Sequence, residues 1–246
     1  MRLFSTALIL LLFAPLSAFA FLGMNAGATL QAPLPAWTKQ LGTRSLAAFT
    51  NGKAAASDSS GNFYVAGNTN GDLDGNTVAG RQDFFVTKYD SAGAKIWTRL
   101  LGVASQYTYG NGVTTDSSGN IFVAGYTTGG LDGNTLAGYN DFFVTKYNAS
   151  GTKQWTRQLG VASQYTYGNA VATDSSGNIF VTGYTDGGLD GNTLTGYEDF
   201  FVTKYDSTGA KIWTRQLGVS SHYTHANGVV TDSSGNIVVA GYTSGG

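Results

Sequence analysis

Residues 116–127 read DSSGNIFVAGYT, and residues 141–160 read DFFVTKYNASGTKQWTRQLG. Both strings recur with few changes every 58 residues, so that the motif DSSGN begins at four positions, Asp58, Asp116, Asp174 and Asp232. Self-similarity at a period of this length is the signature of a repeat architecture, in which each unit buries its apolar faces against its neighbours. The repeat therefore indicates the fold class before any single residue is considered.

The second copy of the repeat predicts four consecutive β-strands. Residues 111–116, 120–127 and 141–148 are rich in β-branched and aromatic residues, which suit a pleated and packed surface. In the last segment, 153–160, large side chains alternate with shorter polar ones, as expected for an outer strand that partly faces water. No segment shows a sustained helical period.

The connections between these strands differ in length. The DSSGN turn joins the first strand to the second, and a Gly-containing turn at 148–153 joins the third to the fourth. In such turns Gly supplies a positive φ, and the Asp side chain accepts hydrogen bonds from nearby backbone amides. The other two connections, 128–140 and 161–168, are long. Because successive connections of an antiparallel sheet lie at alternate ends, we expect both long connections at one end of each sheet.

Four antiparallel strands repeated in tandem predict an all-β fold, a β-propeller built from four-stranded blades. We expect three full blades at 53–102, 112–160 and 170–218 and partial blades at 36–42 and 227–246. By this count the ring is incomplete or only partly closed. Burial of the inner strands on both faces accounts for the adjacent Phe142 and Phe143. A β-solenoid is the alternative, but its coils are shorter and lack this fixed order of turns and loops.

The N-terminus has the features of a secretory signal peptide over residues 1–20. Arg2 gives the positive start, an apolar centre follows, and Ala18 and Ala20 form a small-residue cleavage pattern. Cleavage as late as residue 28 is the other option, and residues 21–35 are then a linker. The alternative for this apolar segment is an uncleaved membrane anchor. We expect a secreted, periplasmic or outer-surface bacterial protein with no membrane span after cleavage.

Composition excludes several classes of protein. The chain has 246 residues, of which 12% are charged, and a formal net charge of −1. A near-neutral balance argues against nucleic-acid binding, which requires concentrated basic residues. Because the chain has no Cys, it carries neither a lipid-attachment cysteine nor disulfides, and its stability depends on packing.

The strings DSSGNIFVAGYT, DFFVTKY and WTRQLG resemble the bacterial SBBP repeat, a β-propeller repeat named for a seven-bladed form. The resemblance covers about residues 36–246. It implies a secreted or cell-surface bacterial protein and supplies no catalytic residues. Because the last copy contains only a first and a second strand, we expect the chain to be a fragment of a longer member.

The end that carries the long connections is the predicted binding surface, because functional residues are commonly displayed on loops over a rigid scaffold. Tyrosine combines a large rigid ring with a hydroxyl, which suits contacts with a sugar or a protein. The candidate ligand-binding residues are Tyr107, Tyr109, Tyr139, Tyr165, Tyr167, Tyr197 and Tyr223. The alternative is that these rings fill the gaps between blades, since structural packing also produces identical copies.

A calcium-site candidate lies in the string DLDGNTVAGRQD of the first copy. Its residues are Asp72, Asp74, Asn76 and Asp83, whose side-chain oxygens approach the spacing of Ca²⁺ ligands. The alternative is ordinary turn chemistry, because DGN is by itself a turn former. No other cofactor is expected.

Three further groups of residues have structural interpretations. His222 and His225 could suggest a metal pair, but no acid lies at ligand spacing, and we expect them in a flexible loop. The tryptophans of the fourth strands are expected to pack between blades, with the indole N–H bonded at the rim. Lys146 and Arg157 are expected to pack around the tryptophan ring.

The sequence favours a non-enzymatic repeat protein that presents a Tyr-rich face for binding a glycan or a protein at the cell surface. No Ser, His and acid grouping repeats, so nucleophilic or general-base catalysis has no visible residue. One alternative is a propeller enzyme, a hydrolase or a quinoprotein-like protein, in which Asp83, Asp141 and Asp199 converge on the central axis. The other alternative is a structural spacer.

Overall fold

The computed structural model describes residues 8–13, 35–42 and 48–245. Apart from two short 3-10 turns at Leu131–Gly133 and Leu189–Gly191, the regular structure in these residues is β-strand. The strands in chain order are β1 (Leu8–Phe13), β2 (Pro35–Leu41), β3 (Thr50–Ser57), β4 (Phe63–Thr69), β5 (Asp83–Tyr89), β6 (Lys95–Leu101), β7 (Thr108–Thr115), β8 (Ile121–Thr127), β9 (Asp141–Tyr147), β10 (Lys153–Leu159), β11 (Thr166–Thr173), β12 (Ile179–Thr185), β13 (Asp199–Tyr205), β14 (Lys211–Leu217), β15 (Thr224–Thr231) and β16 (Ile237–Thr243).

Three antiparallel sheets of four strands follow one another along the chain. They are β3-β4-β5-β6, β7-β8-β9-β10 and β11-β12-β13-β14, here called blades 1, 2 and 3. Among the described residues, strands β15 and β16 pair only with each other and form a half-blade. Each pairing joins strands that are consecutive in the chain, which confirms the predicted four-stranded blades and the all-β class.

The first strand of each blade begins earlier than predicted. Strand β11 starts at Thr166 and contains an irregularity between Gly168 and Ala170. In the sequence, Gly168 looks like the end of a strand. In the structure it lies within the strand, where a Cβ would be only 2.6 Å from the carbonyl oxygen of Gly125. Gly inside a strand thus marks a close approach between neighbouring blades. The link between blades is correspondingly shorter than predicted.

The adjacent phenylalanines of each third strand pack in opposite directions. Phe143 stacks on Phe84 of the preceding blade, with ring centroids 5.1 Å apart. Phe142 stacks on Phe201 of the following blade at 4.8 Å. All four rings are fully buried. This confirms that the inner strands are covered on both faces and that the core lies between blades.

The first strands of consecutive blades lie against one another and form an inner row. Strand β7 contacts both β3 and β11, and β11 contacts β15. One hydrogen bond recurs along this row: the Thr115 hydroxyl donates to the Ser57 carbonyl at 2.9 Å, and Thr173 donates to the Thr115 carbonyl at 2.9 Å. The same hydroxyl at Thr231 donates to Thr173 at 2.8 Å. The repeat period is therefore also the period of the contacts between blades.

Three side chains on the third and fourth strands hold each blade to the next. In blade 1 the Trp97 indole N–H and the Lys88 ammonium donate to the Ala149 carbonyl, at 3.4 and 3.2 Å. Arg99 donates through Nε to the Gly151 carbonyl at 2.8 Å, and its guanidinium carbon lies 5.3 Å from the Trp97 ring centroid. We call this Lys–Trp–Arg group the clasp. It confirms for Trp97 that the tryptophan packs between blades with its indole N–H bonded at the rim.

The clasp of blade 2 consists of Lys146, Trp155 and Arg157 and binds the corresponding turn of blade 3. Arg157 lies 5.1 Å from the Trp155 ring centroid and donates to the Gly209 carbonyl at 2.7 Å. Lys146 donates to the Ser207 carbonyl at 3.1 Å. Lys146 is the cross-strand partner of Trp155, and its ammonium lies over Phe122 at 5.5 Å.

The N-terminal strands form a separate two-stranded sheet. Within the predicted signal peptide, residues Leu8–Phe13 pair with Pro35–Leu41 as antiparallel strands. The rest of residues 1–20, almost all of the linker 21–35 and the side chain of Trp37 lie outside the described residues. The signal peptide therefore stays a prediction. In the described part of the chain no helix has the length and apolar character needed to cross a membrane.

Candidate binding face

The two long connections of each blade meet at one end of the sheets, as predicted. Short parallel bridges join Gln82 to Tyr107, Asn140 to Tyr165 and Glu198 to Tyr223. At the middle junction the backbone N–H of Thr166 donates to the Asn140 carbonyl at 2.9 Å. We call this end of the molecule the loop end.

The seven predicted tyrosines do not all lie in loops. Tyr107, Tyr165 and Tyr223 lie in the links between blades, and Tyr139 and Tyr197 lie in the other long loop. The remaining two, Tyr109 and Tyr167, are strand residues of β7 and β11. Their predicted loop position was wrong because the first strands begin three or four residues earlier than predicted.

Strand residues near the loop end form a continuous row of aromatic rings across the blades. Tyr109 stacks on Tyr126 with centroids 4.6 Å apart, and Tyr126 meets Tyr167 edge to face at 4.7 Å. Tyr167 stacks on Tyr184 at 4.8 Å, and Tyr184 stacks on His225 at 3.7 Å. This aromatic ladder consists of Tyr109, Tyr126, Tyr167, Tyr184, His225 and Tyr242. Its second-strand members, Tyr126, Tyr184 and Tyr242, were not among the predicted site residues.

Two pairs of tyrosines stand outside the ladder and are accessible to solvent. Tyr139 and Tyr165 have centroids 5.0 Å apart and are 56% and 42% exposed. Tyr197 and Tyr223 have centroids 5.3 Å apart and are 57% and 46% exposed. These outer tyrosine pairs recur at successive junctions between blades. The side chains are thus presented at regular intervals along the loop end.

The hydroxyls of the ladder tyrosines in blades 2 and 3 remain protonated well above neutral pH. Burial raises the pKa of Tyr184 to about 12, and the neighbouring Tyr167 and Glu198 add to the effect. Burial also raises the pKa of Tyr109, Tyr126 and Tyr167. A neutral phenol both donates and accepts hydrogen bonds. The ladder therefore offers uncharged polar groups at the loop end.

Blade 1 forms without the ladder tyrosines. Asn51 and Asn68 occupy the positions of Tyr109 and Tyr126 and form the same cross-strand pair. Arg81 occupies the position of Tyr139, and its guanidinium carbon lies 5.7 Å from the ring centroid of Tyr107. Blade 1 nevertheless has the same four strands in the same order. The tyrosines are therefore not required to build a blade.

The last junction differs from the others in its charge. His225 lies in strand β15 and not in a flexible loop, and its Nε2 contacts the carboxylate of Glu198. On the other side of the ring, the Tyr242 hydroxyl lies 2.8 Å from Nδ1 of His225. The prediction that this histidine has no nearby acid was wrong, because Glu198 comes from the preceding blade.

The three aspartates of the enzyme alternative are buried within their own loops. Asp141 accepts hydrogen bonds from the backbone N–H of Ala137 and Gly138 at 2.8 and 2.9 Å, and from the Gln158 amide at 2.9 Å. Asp83 and Asp199 accept from the corresponding amides. Each carboxylate thus holds a loop in place.

The calcium candidates have separate partners. The Asp72 carboxylate accepts from the Val78 N–H at 2.9 Å, and Asp74 pairs with Lys95. The Asn76 amide donates to the Leu73 carbonyl at 3.0 Å, while the buried Asp83 accepts from backbone amides. Among the residues that the structure describes, no group of three or more His, Cys, Asp or Glu side chains could hold a metal ion.

Tandem four-stranded antiparallel blades, each held to the next through a clasp, define the protein as a β-propeller repeat protein. The chain matches the beta-propeller repeat family SBBP at residues 36–74, 96–132, 154–190 and 212–246. Because these matches span more than half of the sequence, the chain belongs to the SBBP family.

Two curated relatives are similar to this chain over about two thirds of its length. The Regulatory protein FlaEY of Caulobacter vibrioides is 28% identical over 177 residues, which are 66% of this chain and 18% of the relative. An uncharacterized WD repeat-containing protein of Acanthamoeba polyphaga mimivirus is 26% identical over 210 residues, 69% of this chain and 15% of the relative. The chain thus spans less than a fifth of either relative.

A solved structure, a protein of unknown function from Bacteroides caccae, is 12% identical and has a TM-score of 0.46. The similarity covers 84% of this chain and 57% of that protein.

Proposed function

We propose that the loop end is a binding surface for a glycan or a protein at the surface of a bacterium, and that the protein acts without catalysis. The observation that carries this proposal is the exposure of the outer tyrosine pairs. Tyr139, Tyr165, Tyr197 and Tyr223 each keep between 42% and 57% of their surface in solvent. Rings that only filled gaps between blades would be buried.

Blade 1 supports the same proposal. It folds with Asn51, Asn68 and Arg81 in the tyrosine positions, so packing alone does not account for the rings of blades 2 and 3. Exposed tyrosines on a rigid scaffold lose little side-chain entropy on binding and contribute both apolar area and a hydroxyl. This argues against the structural-spacer alternative.

The alternative of an enzyme finds less support. The acids that it requires, Asp83, Asp141 and Asp199, are at most 1% exposed and accept hydrogen bonds from their own loops. Their carboxylates are therefore committed to structure. The names of the two relatives, a regulatory protein and a WD repeat-containing protein, are in keeping with a repeat protein.

The test is a double substitution, Tyr139→Ala with Tyr165→Ala, screened against a glycan array and by crosslinking to bacterial surface proteins. We expect affinity for the ligand to fall at least about tenfold, because aromatic anchors dominate binding energy at such surfaces. Ile96→Ala is the matched control, since Ile96 is 52% exposed but lies in β6 away from the loop end. Retention of every ligand by the double variant would remove the tyrosine pairs from the proposal.

The same assay with a chelator tests the calcium candidate. We expect binding to be unchanged, because Lys95 already pairs with Asp74 and backbone amides already occupy Asp83. A loss of binding that added Ca²⁺ restores would instead support a calcium site at Asp72, Asp74, Asn76 and Asp83.

A further inference from the structure

Exposed tyrosine rings meet in pairs at the junctions between blades. Tyr139, in the long loop of blade 2, and Tyr165, in the link to blade 3, have ring centroids 5.0 Å apart and an angle of 42° between their planes. Tyr197 and Tyr223 form the next pair, with centroids 5.3 Å apart and an angle of 50°. Because the first of these pairs lies between two complete blades, its exposure is a property of the repeat itself. The same arrangement of rings recurs at two successive junctions.

Backbone hydrogen bonds hold the two rings of each pair together. The Tyr139 N–H donates to the Gln164 carbonyl at 2.8 Å, and the Thr166 N–H donates to the Asn140 carbonyl at 2.9 Å. These bonds lie on either side of the Tyr139–Tyr165 pair. The two equivalent bonds of the next junction are both 2.9 Å long. The rings therefore remain neighbours as long as the loop end is folded.

Two exposed phenols held at this separation are suited to oxidative coupling. Loss of one electron and one proton from each phenol gives two phenoxyl radicals, which join through ring carbons ortho to the oxygens. The reaction requires access for the oxidant and enough freedom for the rings to turn until two ortho carbons meet. Tyr139 and Tyr165 have both, because they are exposed. Holding the two reactants together also favours coupling within one chain over coupling between chains.

The ladder tyrosines are less suited to this reaction. Tyr126 and Tyr167 meet edge to face at 4.7 Å, but each ring also stacks on a further ladder tyrosine. These contacts restrict the rotation that coupling requires. Burial also raises the pKa of both hydroxyls, which disfavours the loss of a proton that accompanies oxidation. We therefore expect the outer pairs to react before the ladder.

The first junction is a built-in comparison. Arg81 stands where the later copies have Tyr139 and Tyr197, and its guanidinium carbon lies 5.7 Å from the ring centroid of Tyr107. Its backbone N–H donates to the Gln106 carbonyl at 2.7 Å, as in the other junctions. An arginine forms no phenoxyl radical. The chain thus contains two junctions that can couple and one of the same backbone geometry that cannot.

We propose that Tyr139 with Tyr165, and Tyr197 with Tyr223, are sites of dityrosine formation by hydrogen peroxide and a haem peroxidase. A C–C bond joins one ortho carbon of each ring, and the hydrogen of each of these carbons moves to the phenolic oxygen. The two electrons and two protons removed from the phenols reduce one hydrogen peroxide to two waters. Each bond joins the long loop of one blade to the link that follows it, in a chain without Cys.

The experiment treats a dilute solution of the chain Met1–Gly246 with hydrogen peroxide and a haem peroxidase, isolates the monomer and digests it with trypsin. We expect dityrosine fluorescence and a species that joins peptides 100–146 and 158–204, with the summed mass less two hydrogen atoms. These peptides contain Tyr139 and Tyr165. Because Tyr165→Phe cannot form the radical, this species should disappear in that variant. Tyr126→Phe is the control, and it should leave the yield unchanged.

A gain of reactivity provides a second test. Arg81→Tyr gives the first junction the residue of the later ones, so we expect a new species that joins peptides 54–88 and 100–146 through residue 81 and Tyr107. Circular dichroism of each variant before oxidation checks that the sheets are retained.

Three results would overturn the proposal. The first is dityrosine that forms only in dimers and larger species, which would mean that the paired rings do not couple within a chain. The second is persistence of the joined peptides in Tyr165→Phe together with their loss in Tyr126→Phe, which would assign the bond to the ladder. The third is the absence of dityrosine from the treated protein. No ligand is present in these assays, so their outcome is independent of the binding function proposed for the loop end.

Discussion

At the scale of single residues, glycines decide how closely the blades approach. Gly151 lies in the turn between β9 and β10 with φ +78, and a Cβ there would come within 2.9 Å of the Trp97 ring. Gly133 has nearly the same φ, +80, but nothing lies within 4 Å of its Cβ position. A comparison of substitutions at the two positions therefore distinguishes the cost of backbone strain from the cost of a steric contact.

We expect Gly133→Ala to lower the free energy of unfolding by about 1 kcal/mol, the cost of a left-handed non-Gly residue. Gly151→Ala should cost about 1–3 kcal/mol more, because the added methyl overpacks the contact with Trp97. Urea unfolding of the two variants measures the difference. If both variants lose the same free energy of unfolding, the turn and the tryptophan can move apart without cost.

The buried aspartates provide a second prediction for single residues. Asp141 is fully buried and accepts three hydrogen bonds, whereas Asp132 forms a partly exposed pair with Lys153. We expect Asp141→Asn to cost about 2–3 kcal/mol, because an amide nitrogen would face N–H donors in a buried site. Asp132→Asn should cost less than about 1 kcal/mol. Thermal unfolding compares the two, and similar midpoints would contradict a structural role for Asp141.

At the scale of elements, the clasp connects an outer strand to the turn of the next blade. The chain contains a matched comparison, because Arg157 binds the Gly209 carbonyl while Arg215, at the same repeat position, has no following turn among the described residues. Both guanidinium groups lie over a tryptophan ring. Only the contact between blades differs between the two positions.

We expect Arg157→Ala to destabilise the protein by about 1.5–3 kcal/mol, the range for a hydrogen bond from a charged donor. Arg215→Ala should change stability by no more than about 0.5 kcal/mol. Hydrogen exchange of the turn at 206–210 provides a local measurement, and it should accelerate in the Arg157 variant alone. Faster exchange in both variants would assign the effect to the tryptophan contact instead.

At the scale of the whole molecule, the stacked blades behave as a one-dimensional array in which stability comes from neighbours. Because tyrosines are buried along that array, its stability should decrease at alkaline pH. Burial raises the pKa of Tyr89 and Tyr184 from the ordinary value of 10.0 to about 12, so the folded state favours the neutral phenols. Their contribution is complete below pH 10 and is lost as the pH rises towards 12.

We therefore expect the ionisation of these tyrosines to leave the free energy of unfolding unchanged up to about pH 10 and to lower it above that pH. Phenolate absorbance should then increase together with the loss of the circular dichroism signal of the sheets. Tyr184→Phe keeps the ring but removes its ionisation, so this variant should lose less stability above pH 10. The same pH dependence in the variant and the original chain would contradict this assignment.

Much of the fold could be predicted from the sequence, because strand period and turn glycines are local features. Strands β8, β9 and β10 lie within one residue of the predicted boundaries. The start of β7 was missed because Gly110 reads locally as a break, while the reason for the glycine is contact with another blade. That reason depends on packing across the repeat, which a single stretch of sequence does not reveal.

The candidate site was less predictable than the fold. Tyr126 faces Tyr109 only through the cross-strand register, which depends on the irregularity beside Gly110. Glu198 meets His225 across 27 residues and a boundary between blades. The sequence nevertheless contained one feature from which the ladder could have been predicted. The tyrosine of the second strand recurs at the same repeat position in three copies. Rings at one position of adjacent blades must lie in a row.

The clasp accepts its partner through main-chain oxygens, at Ala149 and Gly151 after blade 1 and at Ser207 and Gly209 after blade 2. It makes no hydrogen bond to the side chains of the turn. The turn sequence is NASGT in one copy and DSTGA in the next. At the clasp, one copy can therefore replace another without loss of these hydrogen bonds, provided that the turn keeps its glycine. Gene segments that encode this unit can be duplicated, deleted or exchanged by recombination, and the number of units can change during evolution without a new interface.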